Sequence, residues 1–175
     1  MEHLRPSATP RLPTVQPLLS GARASLHIPA LVLSHVQYAA WRTWPYETGG
    51  ILLGHASEGG AAVTVAVGPG PEARHARYGF TPDGDWQASQ VAEAWSVDGS
   101  IEYLGDWHTH PGGTTRFSDL DRRAAVTISE APAARQPRPV MLVLALGRNG
   151  PANLAAAYLV GGRLRAAKVI VGELT

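Results

Sequence analysis

The chain has 175 residues, a formal net charge of +1, 45% hydrophobic and 17% charged residues, and no cysteine. That balance suits one globular domain and supplies no field to gather nucleic acid or anionic lipid, so neither is an expected partner. Without cysteine there is no disulfide, thiolate nucleophile or thiolate ligand, and any metal must be held by His, Asp or Glu.

Residues 1–24 contain Pro6, Pro10, Pro13 and Pro17 but no apolar signal core, and read as a flexible tail. Residues 25–175 are then the single domain, expected in the cytoplasm. Leu26 to Ile28 suits a short strand, and Pro29 opens a helix that runs to about Trp44, where Pro45 ends it. Leu33, Val36, Ala40 and Trp44 recur at helical spacing, which predicts one buried stripe.

Ile51-Leu52-Leu53-Gly54 reads as a buried strand, Ser57 to Gly60 as a turn, and Val63, Val65 and Val67 as a strand pairing back. The segment from Gly68 to Gly79 is predicted to be an exposed loop. Asp83 or Asp85 caps a second helix with Ala88, Val91, Ala92 and Trp95 on its inner face. Ile101 to Trp107 is a strand, a loop runs to Phe117, and another helix starts at Ser118. Strands follow at Val140 to Leu146, Asn153 to Val160 and Leu164 to Val171, with turns at Gly147-Arg148-Asn149-Gly150 and Gly161-Gly162. The fold class is α/β, a mixed central sheet flanked by helices.

The chemistry concentrates between His108 and Asp121. In extended backbone, His108 and His110 project to the same side, and a carboxylate on the first turn of the next helix can complete a three-ligand set. Each part also has a plainer reading. Ser118-x-x-Asp121 fits a helix-capping box, and a His-x-His pair occurs on strands without metal. Asp106 is open between orienting an imidazole and lying on the surface, Trp107 reads as core, and His55 and His75 have no ligand spacing.

Taken together, His108-Thr109-His110-Pro111, six residues, then Ser118-x-x-Asp121 resembles the motif of the JAMM or MPN metalloproteases. Glu47-Thr48-Gly49-Gly50 ahead of Ile51-Leu52-Leu53-Gly54 is similar to the upstream part of that motif. The resemblance extends from about residue 26 to residue 130. It implies a deaminase-like fold, one zinc ion on His108, His110 and Asp121, Glu47 as general acid and base, and Ser118 as an oxyanion donor. It also implies cleavage of an isopeptide or peptide bond at the C-terminus of a ubiquitin-like protein, as substrate or conjugate, in ubiquitin-like conjugation systems of bacteria, antiviral ones among them. A sulfur-carrier processing peptidase, a DNA-repair-associated relative and a non-catalytic scaffold are the rival readings within that resemblance. The residues agree chemically: zinc lowers the pKa of bound water from about 15.7 to about 7, and a carboxylate nearby can move the proton. Ser118 is a poor candidate for a protease nucleophile, since no separate His-Asp pair accompanies it.

Overall fold

A computed structural model describes residues 24–147 and 153–172. The predicted tail, Ala24 apart, and Arg148 to Gly150 of a predicted turn lie outside them. Ala24 belongs to the folded unit and not to the tail: it is buried, and its carbonyl accepts the Lys168 N–H at 2.9 Å.

The described residues form β1 (Ser25–Ile28), α1 (Ala30–Thr43), β2 (Gly49–Ser57), β3 (Gly60–Val67), β4 (Arg74–Ala76), β5 (Gly79–Thr81) and α2 (Gly84–Val97). After these come β6 (Glu102–Pro111), α3 (Asp119–Glu130), a 3-10 turn (Pro132–Ala134), β7 (Val140–Leu146), β8 (Asn153–Val160) and β9 (Arg163–Val171). Seven strands close into a barrel in the order β1-β3-β2-β6-β7-β8-β9, while β4 and β5 form a separate ribbon. Pairing is mixed. β1 runs parallel to β3 and β9, β6 runs parallel to β7, and the other neighbours are antiparallel. The mixed sheet and flanking helices are those expected; its closure is not, because it depends on β1 meeting β9 from the far end of the chain, which no local pattern encodes.

The main core gathers Leu26 and Ile28 of β1, Leu33 and Val36 of α1, and Leu52, Val63, Leu104, Trp107, Leu142 and Leu144 of the barrel. Burying each such side chain stabilises by roughly 1.5–3 kcal/mol, so tertiary packing and not helix propensity holds these elements. Leu33, Val36 and Ala40 form the buried stripe of α1, whereas Trp44 falls just past the helix and is only half-buried. A second cluster joins α2 to Ile51, Leu53 and Val67, and a third joins α3 to Met141 and Leu159.

Two further expectations are corrected. Helix α2 packs through Trp86, Val91 and Ala94, leaving Ala88 and Ala92 exposed and Trp95 62% exposed. Its rotation is set by polar contacts: Asp83 caps the Trp86 N–H at 3.1 Å, and buried Gln87 donates from Nε2 to the Gly68 carbonyl at 2.8 Å. A bonded glutamine thus takes an inward position that an apolar count assigns to alanine. The other correction concerns Gly68 to Gly79, which is not an unstructured loop. It contains β4 and leads into β5, and this ribbon docks beside Glu47.

Candidate metal centre and active site

Strand β6 runs on through both histidines instead of ending at Trp107, because β7 pairs with it in parallel as far as Leu146; His108 lies opposite Val143 and His110 opposite Ala145. Alternation then sorts the segment. Trp107 faces the core, 1% exposed, with its indole N–H donating to the Val67 carbonyl at 2.9 Å. Thr109 is fully buried between the two histidines, and its hydroxyl accepts the Thr48 N–H at 2.9 Å. His108 and His110 turn the other way, and their Nε2 atoms stand 3.1 Å apart.

Asp121 reaches the same point from the first turn of α3. A full capping box fixes it: the Ser118 N–H donates to Asp121 Oδ2 at 2.6 Å, and the Asp121 N–H donates to Ser118 Oγ at 3.2 Å. Oδ1 then faces His108 Nε2 at 3.2 Å, while Oδ2 is 3.8 Å from His110 Nε2. Burial pushes the Asp121 carboxyl up, but the hydrogen bond and charge of His108, with hydrogen bonds from the Ser118 backbone and side chain, outweigh it and hold the group at about 2. His110 is oriented as a ligand should be. Its Nδ1–H donates to the Thr114 carbonyl at 2.8 Å, which turns the Nε2 lone pair toward Asp121.

These residues fit a divalent cation. One donor atom from each of His108, His110 and Asp121 lies within 4.8 Å of the others. Four ligands arranged tetrahedrally at ~2.0–2.1 Å stand about 3.4 Å from one another, and 3.1 Å between the two Nε2 atoms and 3.2 Å from His108 Nε2 to Asp121 Oδ1 lie near that value. Two imidazoles and one carboxylate, with a position left open, are also the donor set of a catalytic site and not of a closed structural one.

Glu47 occupies the short link between α1 and β2 and faces the same centre, where it feels His110, His108 and Asp121. Its carboxyl is raised, foremost by burial; the histidines pull it back and Asp121 pushes it further up. A groove of about 480 Å³ opens there, lined by Glu47, Arg77, Tyr78, His110, Pro111, Gly112 and Gly113. Asp106 is neither an acceptor for an imidazole nor a plain surface group, since it takes the Tyr103 hydroxyl at 2.6 Å. Burial raises its carboxyl. Arg77, Tyr78, Thr109 and Thr114 carry no signal in the sequence, because each joins the site through strand register or a loop path.

Residues 29–165 match the family described as prokaryotic homologs of the JAB domain, and the chain belongs to that family. It is 40% identical over 129 residues to the probable metalloprotease y4qB of Sinorhizobium fredii, covering 72% of this chain and 77% of that one. A CD-NTase/cGAS isopeptidase of Pseudomonas aeruginosa is 34% identical over 105 residues, 59% of this chain and 64% of that one. Another protein of that name, from Enterobacter hormaechei, is 30% identical over 112 residues, 63% and 61% of the two chains. A Desulfitobacterium hafniense protein known from its solution structure shares the fold, with a TM-score of 0.67 at 17% identity over 85% of this chain and 94% of that one. Relatives named as metalloprotease and isopeptidase support a hydrolase, and the His108, His110 and Asp121 triad fits a metal site.

Proposed function

We propose that this protein is a cytoplasmic zinc isopeptidase that cuts the amide bond at the C-terminus of a ubiquitin-like protein, releasing it from a conjugate or trimming its precursor in a bacterial antiviral conjugation system. The observation that carries this reading is the convergence of His108, His110 and Asp121 on one point, with Glu47 facing it. The relatives named as isopeptidases support the bond type. Zinc held by these three residues would supply a Lewis acid for the scissile carbonyl and a water acidic enough to attack at neutral pH.

The residues of the chain supply the rest. Amide cleavage needs one proton removed from the attacking water and one delivered to the departing amine, so a single group that carries it across serves both steps. Glu47 suits the task because burial raises its carboxyl, which makes it a better proton carrier than an exposed carboxylate. The Ser118 oxygen takes the Asp121 N–H for the cap, and its hydrogen, which also helps hold the Asp121 carboxylate, is the proposed donor to the developing oxyanion. Capping thus uses the oxygen, and the proposed catalysis the hydrogen, of one hydroxyl. An extended glycine-rich tail is the proposed occupant of the groove beside Gly112 and Gly113, since such a tail is recognised through its backbone without demanding side chains.

The test uses a ubiquitin-like protein joined through its C-terminus either to a lysine side chain or to a further main-chain segment. Hydrolysis after the last glycine of either substrate by the zinc-loaded protein, lost in Glu47→Gln, is the expected result. Failure to cut any such C-terminal amide would remove the substrate class.

A further inference from the structure

Glu47 sits in a stretch with no ladder of its own, between the end of α1 at Thr43 and the start of β2 at Gly49. A proton shuttle needs a fixed backbone, and both backbone polar groups of this residue are held by the β4–β5 ribbon. The Glu47 N–H donates to the Ala76 carbonyl at 2.8 Å. The Glu47 carbonyl lies 2.9 Å from His75 Nδ1, where an imidazole protonated on that nitrogen donates to it. His75 is itself braced by Phe80, their rings parallel within 12° at 6.4 Å. Phe80 in turn fits against Gly49, where an added Cβ would come within 2.4 Å of the ring tip.

Resting on the proposed role of Glu47, we propose that His75 is a positioning residue for the shuttle: its Nδ1–H fixes the Glu47 carbonyl and so aims the carboxyl at the metal centre. His75 is exposed, outside the ligand set and outside the apolar core. Removing it therefore tests positioning without dismantling the fold. Misplacing a reacting group by ~1 Å can cost as much as 10²-fold in rate, so His75→Ala is expected to lower kcat by about 10- to 100-fold with KM within about twofold. His75→Asn, whose side-chain N–H can donate from a similar place, should recover most of the loss.

The deciding experiment is a double-mutant cycle with Glu47→Gln, alongside bound-metal content, melting temperature and exchange protection of the Glu47 amide. Expected results are unchanged metal and melting temperature, faster exchange of the Glu47 amide in His75→Ala, and no further loss when His75→Ala is added to Glu47→Gln, read at high enzyme concentration on the residual rate that remains about 10²- to 10⁴-fold below wild type. Wild-type kcat in His75→Ala while Glu47→Gln is inactive would overturn the proposal, as would an equal loss in both backgrounds or no rescue by asparagine. If Glu47→Gln itself cuts at the wild-type rate, the shuttle reading fails first, which is a distinct outcome.

Discussion

Ser118 is asked to do two things with one hydroxyl. Its oxygen caps α3, and losing such a cap costs about 0.5–2 kcal/mol. Its hydrogen is proposed to serve the oxyanion, and losing such a donor lowers the rate by about 10²- to 10³-fold. Ser118→Ala should therefore lower both the melting temperature and kcat, with metal still bound; a fall in melting temperature alone would make it a cap and nothing more. Asp121 gives a pH prediction for the metal-free protein. Its folded value of about 2 lies below the ordinary value of ~3.9. Its ionised form thus adds stability that is present above pH ~4 and is lost as pH falls toward 2. Acid unfolding of the metal-free protein should show that loss, and Asp121→Asn should flatten the same window.

Strand β6 is the element on which the centre depends, since it carries both histidines and meets β2 and β7 at once. Gly105 lets it do so: its φ is +147°, and a Cβ there would fall 1.9 Å from the Val140 carbonyl. Gly105→Ala should cost ~3 kcal/mol or more in urea unfolding and reduce metal binding, by prising β6 from β7. Unchanged stability would mean that the strands part without harm. Much of this element was readable beforehand. Alternation along His108-Thr109-His110 gives the two imidazoles a shared face and Ser118-x-x-Asp121 fits a cap, but each pattern also occurs without metal, and the ligand set is implied only by the resemblance of the whole motif. The inner face of α2 was misread because Gln87 is buried by a hydrogen bond, which hydrophobic periodicity does not register. The ribbon at Arg74–Ala76 and Gly79–Thr81 was missed because strands of three residues carry too little pattern to separate from loop.

At the scale of the molecule, the barrel brings the Glu47 link, the β6 histidines and the start of α3 to one side of the sheet, although they come from separate parts of the chain. That meeting was visible only through the resemblance of the motif as a whole; no local rule places Glu47 across from His108. Its register does so, with Gly49 opposite His108 and the Thr109 N–H donating to the Thr48 carbonyl at 2.9 Å. A cation that ties β6 to α3 binds the folded state alone, so it must stabilise that state, by about 2.7 kcal/mol when free metal is 100 times its dissociation constant. Chelation should lower the melting temperature of the wild type, zinc should restore it, and His108→Ala should respond to neither.

Bound zinc measured together with amide cleavage, in the wild type, Glu47→Gln and His108→Ala, bears most directly on the central claim. The expected pattern is about one zinc per chain in the wild type and in Glu47→Gln, little in His108→Ala, and cleavage by the wild type alone. Full cleavage by protein stripped of metal, or wild-type turnover in Glu47→Gln, would contradict it.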